Sequence, residues 1–515
     1  MNSMAIDFSN CGIRESQIKT LTDALARKCG KLHVTSLILC DNKLTDKSVT
    51  DLFCRASAAF PLLKNLNLGN NKLGPVSISS ITAALTNSQS FCDKLSVLDL
   101  SRNSLKVSNL LTLIGSGSLA NLKWLCLHKT FTSDADVSDE LLTNFLNTLL
   151  AHCYCLELLD LSGNKFQISV PGASILAKMI SRHCKVLLLV LRPHSTIVDI
   201  HHPIDKLQLS LSATNLSDKG LSAFIESLEG SCHFTRLELE GNAIHATGVL
   251  CLADAICSGK IVIQSTFHLE EVMYDDDDDD EYSTYQAEIF IEKEMEYVNL
   301  HLDGNPLGLE GTEAIIRMLS SGLCQPKMLS LSNCQLTTAT AGGDLPNTDY
   351  LNLENIATNE IIREVGQQMA LCNCNTITHL CLDANSFTGG GIHILAGYIS
   401  LCPTLTVLSS DQCEITSEDL KQLLDKLVQL KSSSPNLCSG LMAWHLNNNE
   451  IDDSGVLTLI THLRIPSLFP YSTWSIDIHL LSNPVSSVMM TRLKKELNRR
   501  QEVSELHALC GHVGS

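Results

Sequence analysis

The sequence is poor in aromatic residues, which make up 5% of it, has no long apolar run, and has no excess of positive charge. Each shortage excludes something. With few large rings, the interior has to be filled by many small and mid-sized aliphatic side chains, which suits thin stacked layers better than one thick core. The longest wholly apolar run, Val186 to Leu191, falls far short of the roughly 20 residues that cross a bilayer, so no membrane span is expected. Against 37 basic side chains stand 56 acidic ones, a net charge of −19. Such a surface repels nucleic-acid phosphates and anionic membranes and attracts basic proteins at long range. The first ten residues, MNSMAIDFSN, have neither the basic start nor the apolar stretch of a secretory leader, so a cytoplasmic location is expected.

What is present is a repeat. At 515 residues the chain is too long for a single growing core, and the pattern Leu-x-Leu-x-x-Asn-x-Leu runs through it. Clear copies stand at Leu37/Leu39/Asn42/Leu44, Leu66/Leu68/Asn71/Leu73, Leu98/Leu100/Asn103/Leu105 and Leu159/Leu161/Asn164/Phe166. Further copies stand at Leu237/Leu239/Asn242/Ile244, Leu300/Leu302/Asn305/Leu307, Leu380/Leu382/Asn385/Phe387, Trp444/Leu446/Asn449/Ile451 and Ile478/Leu480/Asn483/Val485. Cysteine takes the asparagine slot at Cys11, Cys334 and Cys413, and weaker units centre on Thr130, Thr214 and Ile356. That makes fifteen units. Eight of the fourteen steps between successive slots fall between 27 and 32 residues, a period that sets the size of one layer.

Leucines two apart point to the same side of a short strand, so both enter the core while the residues beside them face outward. The asparagine amide can donate and accept at once, so a column of asparagines can satisfy the backbone groups that an inward turn leaves unpaired. Between strands the pattern becomes helical, as in Ser16 to Lys28 with Ile18, Leu21, Ala24 and Leu25 on one face, or Ser217 to Leu228 with Leu221, Phe224, Ile225 and Leu228. A strand on one side and a helix on the other make a wedge, and stacked wedges curve.

These residues resemble the ribonuclease-inhibitor-like subfamily of leucine-rich repeats, the helix-bearing kind found in the sensor arms of NOD-like receptors and in the Ran GTPase-activating protein. The resemblance covers nearly the whole chain. It implies an α/β leucine-rich-repeat solenoid, a horseshoe with parallel strands on the concave face and helices on the convex face, spanning residues 1–487 and closed by a capping helix and tail at 488–515. It also implies a protein-binding role, with innate-immune sensing as one instance. Repeat character at Ile6/Phe8/Cys11/Ile13, with no polar cap before it, raises the expectation of a shortened relative of a larger receptor, or of a partner acting as cap.

The 21 cysteines fit this frame as packing residues. Cys92, Cys153, Cys374, Cys402 and Cys438 each precede a strand leucine slot by six residues, and Cys232 and Cys324 precede theirs by five. A repeat-locked thiol is a small buried hydrophobe. Cys153/Cys155 with His152 and Cys372/Cys374 with His379 are C-x-C pairs without four ligands at finger spacing, so no metal site is expected. G-x-x-x-x-G-K-[ST], H-E-x-x-H and G-x-S-x-G are absent, and the repeats leave no stretch for a catalytic domain. No enzyme and no cofactor are expected.

Three stretches break the period. The 63-residue step from Asn242 to Asn305 holds the run Asp275–Asp280 followed by Glu281, expected to be a looped-out acidic insertion over about 262–292. The 50-residue step from Asn164 to Thr214 contains Val186–Leu191 and Ile197–Ile200, which suggests a local hairpin. The 22-residue step from Cys334 to Ile356 leaves almost no room for a helix, so a thin, bent layer is expected there.

The outward residues beside the second leucine of each unit pave the expected concave wall. They include Asp7, Asp99, Asp160, Glu238, Glu240, Asp303, Glu354, Asp383 and Asp411, but no lysine or arginine. The other ionisable residues there are His128, His301, His445, His479, Cys40, Cys126 and Cys381. Asp99, Asp160, Glu238, Glu240, Asp303, Glu354, Asp383 and Asp411 are therefore the candidate contacts for a basic protein partner, since uncompensated carboxylates focus a negative potential. Leu-Asp-Leu-Ser is also a stock phrase of the repeat family, which would give some of these acids a purely structural role. Of the tryptophans Trp124, Trp444 and Trp474, any that is exposed would be an anchor; Trp444 fills a leucine slot and is expected in the core. The alternative function is a Ran-type GTPase-activating regulator, although that resemblance implies an acidic tail whereas this one is basic.

Overall fold

The computed structural model describes residues 4–29, 34–56, 62–87, 94–131, 138–182, 188–190, 207–264, 298–336, 376–387, 390–432, 436–465, 468 and 476–511. They divide into two compact units, Met1–His233 with Glu238–Ile244 and Phe234–Leu237 with His245–Ser515. The division falls within the strand Cys232–Glu238 (β9).

In the first unit eight short strands pair in chain order: β1 Met4–Asp7, β2 Val34–Ile38, β3 Asn65–Asn67, β4 Val97–Asp99, β5 Trp124–Cys126, β6 Leu158–Asp160, β7 Leu188–Val190 and β8 Leu207–Ser210. All are parallel, and the register carries one slot through them: Ile6, Leu37, Leu66, Leu98, Leu125, Leu159, Leu189 and Leu209 are successive Cα partners. A one-residue slip would turn every leucine outward. Leu66, Leu68, Leu98 and Leu100 are fully buried, each worth about 2 kcal/mol of apolar transfer. Helices α1 Glu15–Cys29, α2 Asp46–Ala56, α3 Pro75–Asn87, α4 Val107–Gly115, α5 Asp139–His152, α6 Val170–Arg182 and α7 Ser217–Ser227 join the strands and pack neighbour on neighbour. Ile18 of α1 and Leu221 and Phe224 of α7 face the core as their spacing requires.

The second unit repeats the scheme with β11 Asn299–His301, β12 Met328–Ser330, β13 His379–Cys381, β14 Val407–Ser409, β15 Ala443–His445 and β16 Asp477–His479. Its slot runs Leu300, Leu329, Leu380, Leu408, Trp444, Ile478, again parallel. Trp444 is buried in a leucine slot, and its indole donates to Ser410 Oγ at 3.1 Å. The helices are α8 Ala246–Cys257, α9 Gly308–Ser320, α10 Gly391–Leu401, α11 Ser417–Leu430, α12 Asp453–Leu463 and α13 Ser487–Gly511. Helix α13 covers the last layer: Leu493 is buried, Glu496 Oε2 meets Arg464 at 2.6 Å, and Arg500 donates to the Leu463 carbonyl.

The asparagine slot works as the amide chemistry requires. Asn103 Nδ2 donates to Leu100 O of its own layer and to Leu68 O of the preceding one, both at 3.0 Å, while its Oδ1 accepts Leu73 N at 3.1 Å. Asn71, Asn164, Asn242 and Asn385 do the same. Cysteine keeps only the donor half. The thiols of Cys334 and Cys413 donate to Leu302 O and Leu382 O at 3.2 and 3.3 Å. With no side-chain acceptor in those slots, the amides of Leu307 and Phe387 turn to the backbone carbonyls of Cys334 and Cys413. Thr130 behaves likewise, accepting Leu105 N at its carbonyl.

Two expectations are corrected, and a third lies outside the described residues. Leu188–Val190 pairs in parallel with both β6 and β8, so the long step after Asn164 holds another layer of the sheet rather than a hairpin built on that run; Ile197–Ile200 lies outside the described residues. Strand β12 pairs directly with β13; the expected layer around Ile356 lies outside the described residues. Residues 261–263 form a buried strand (β10) whose Ile263 bonds to Leu323 and Gln325, so the acidic insertion does not begin at 262; Asp275–Asp280 itself lies outside the described residues.

Candidate protein-binding surface

The strand faces display the acids in two columns with different bonding. In the first unit Asp7, Asp99, Asp160 and Glu238 precede the second core position of their layers, while Glu240 follows Leu239. Asp7, Asp99 and Asp160 each accept the amide two residues on, from Ser9, Ser101 and Ser162, at 2.8, 2.9 and 2.9 Å. This closes an Asx turn at the strand end. Asp160 and Glu238 are buried, Asp99 and Glu240 half-buried.

In the second unit the acid follows the second leucine and reaches into the next layer. Asp303 Oδ1 accepts Ser330 Oγ and Ser332 N, both at 2.6 Å. Asp383 Oδ1 accepts Ser409 Oγ at 2.7 Å and Asp411 N at 2.8 Å. Asp411 accepts Asn447 N at 2.6 Å and Asn447 Nδ2 at 3.0 Å, and Asn447 Oδ1 in turn accepts Leu481 N at 2.7 Å. All three aspartates are half-buried. Glu354, the remaining predicted contact, lies outside the described residues.

Titration behaviour reports the field on both faces. Burial, with Asp160 as a like-charged neighbour, raises the Asp99 carboxyl above its ordinary value. Cys126, between them on β5, is pushed up by burial and by both carboxylates. Cys40 is raised to about 11 by burial, by Asp41, and by Asp99 and Asp7. In the second unit Cys381 is raised to about 11 by burial and by Asp383 and Asp303. Thiols on both faces thus sit in negative surroundings and remain protonated. The exception is around His128, where burial is the main depressing cause and the nearby cations Arg102 and Lys129 add to it against Asp160.

Sequence reasoning placed the acids on the strands but missed their bonding. It also missed that His445 and His479 come face to face: partners across β15 and β16, their rings are tilted by 46° with centroids 4.5 Å apart. Of the tryptophans, Trp124 is half-buried, Trp444 is core, and Trp474 lies outside the described residues. Among the described residues no helix is long and apolar enough to cross a membrane.

A family model described as leucine-rich repeat matches residues 230–253 and 438–459. The human NACHT, LRR and PYD domains-containing protein 14 is 25% identical over 270 residues, covering 52% of this chain. The chain spans about a fifth of that relative, 21% of its length. Among solved structures, an internalin from Listeria monocytogenes is 13% identical with a TM-score of 0.32, over 90% of this chain and 78% of the other. TLR13 in complex with ssRNA13 is 15% identical with a TM-score of 0.34, over 90% and 52% respectively.

Proposed function

Since this is a leucine-rich-repeat protein whose repeats resemble those of NOD-like receptors, we propose that it is a non-catalytic, cytoplasmic protein-binding scaffold whose acidic strand faces capture a basic protein. The observation that carries this reading is the field on those faces: seven predicted acids stand there without a lysine or arginine in their columns, and thiols in both units respond to them. A basic partner would meet preorganised negative faces, because Asp99, Asp160, Asp303, Asp383 and Asp411 are each held by a backbone amide. The similarity to the human NACHT, LRR and PYD domains-containing protein 14 supports reading the chain as a protein-interaction scaffold, with innate-immune sensing as one instance.

The test is affinity capture from a cytosolic extract at about 50 and 500 mM salt, where the Debye length falls from roughly 14 to 4 Å. The reading expects a basic protein retained at low salt, lost at high salt, and lost at both when Asp99, Asp160, Asp303, Asp383 and Asp411 are replaced by asparagine. An unchanged catch of neutral or acidic proteins would count against it.

A further inference from the structure

We infer that His445 and His479 form a two-nitrogen chelate for a late first-row divalent cation such as Cu2+, Ni2+ or Zn2+. The backbone under the pair is fixed. The two residues are Cα partners in the parallel β15–β16 ladder, held by Leu446 N to His479 O at 2.9 Å and Asp477 N to Met442 O at 2.8 Å, with Trp444 buried beneath. The rings above it are uncommitted: His445 is half-buried, His479 is exposed, and neither makes a side-chain hydrogen bond or ion pair among the described residues. By contrast, His462 on the helical side is spent on Thr458 O and Asp425.

The spacing suits a shared ion. When one nitrogen of each imidazole holds the same metal at about 2.1 Å, the two ring centres lie roughly 4.5 Å apart at a 90° coordination angle and about 5 Å apart at the tetrahedral angle. The centroids stand 4.5 Å apart and are tilted by 46° rather than stacked flat. Imidazole donors select borderline metals over Ca2+ and Mg2+, which take oxygen ligands. The surroundings favour a dication: Asp477, exposed two residues before His479, shares its face of the strand, and Asp411 lies on the same face two layers back. Water or a partner's side chain would complete the coordination.

The full chain, its accessible thiols first blocked with N-ethylmaleimide, is titrated with Cu2+ and Ni2+ beside His445→Gln, His479→Gln and the double variant. Calorimetry gives the affinity, and the electron paramagnetic resonance spectrum of bound Cu2+ counts its nitrogen ligands. The expected result is one equivalent of Cu2+ with a two-imidazole signature, weakened at least tenfold by either substitution and absent from the double variant, with Ca2+ not competing. Far-UV circular dichroism melts establish that the variants remain folded, as expected for substitutions on exposed or half-exposed side chains. Equal affinity and an unchanged nitrogen count in the double variant, or no binding tighter than about 100 μM in the parent chain, would overturn the assignment.

Discussion

The carboxylate of Asp383 accepts the backbone amide of Asp411, its own counterpart one layer further on, at 2.8 Å. The same Oδ1 accepts Ser409 Oγ, so one oxygen joins two layers. Structure and charge can therefore be separated by substitution. Asp383→Asn retains an acceptor and should change stability by no more than about 0.5 kcal/mol, whereas Asp383→Ala leaves the amide unpaired and should cost about 1–2 kcal/mol. Chemical denaturation of the two variants checks this.

Asn385 is buried and bonds in both directions, donating to Leu331 O and Leu382 O at 2.8 Å and accepting Cys334 N at 2.9 Å. Asn385→Ala strands three buried backbone groups at about 1 kcal/mol or more each. It should cost at least about 3 kcal/mol, while Asn385→Cys, which restores the donor half as in the neighbouring slots, should recover part of that loss.

Burial pushes the thiols of Cys153, Cys334, Cys413 and Cys438 up to about 12, whereas Cys11, Cys155 and Cys257 are exposed. The thiolate is the reactive form. Brief labelling with N-ethylmaleimide at pH 7.5, read by peptide mass spectrometry, should modify the three exposed cysteines and spare the four buried ones until the chain is unfolded.

Asp452 caps helix α12, accepting Ser417 Oγ and Ser454 Oγ at 2.6 Å and the amides of Ser454 and Gly455 at 2.8 and 3.3 Å. The Ser417 hydroxyl, then Ser454 and Gly455, hold its carboxyl down to about 2 from an ordinary 3.8. Because the folded value lies below the unfolded one, the contribution is complete above about pH 4 and disappears as pH falls through about 2. Asp452→Ala should therefore cost about 1 kcal/mol at pH 7, with the difference from the parent shrinking across that acidic window in parallel melts.

The strands were legible in the sequence because leucines two apart and an asparagine three further on leave a backbone few alternatives. The register Leu37 to Leu66 to Leu98 follows that pattern directly. Leu189 carries no such marker, because five residues on stands His194 rather than asparagine or the cysteine or threonine that replaces it in other layers. The layer expected around Ile356 lies outside the described residues. The acids could be placed on the strand faces from their position beside a leucine. Their bonding could not, because a one-position shift between Asp99 and Asp303 decides whether the carboxylate closes its own turn or reaches the next layer.

Whether the strand-face charge draws in a basic protein decides the function. The most direct measurement is the association rate of the captured partner, followed by stopped-flow over a range of salt, for the parent chain and for the variant with asparagine at Asp99, Asp160, Asp303, Asp383 and Asp411. Electrostatic steering predicts about a tenfold or greater loss of rate in the variant at low salt and a much flatter salt dependence. Equal rates and equal salt slopes for the two chains would contradict it.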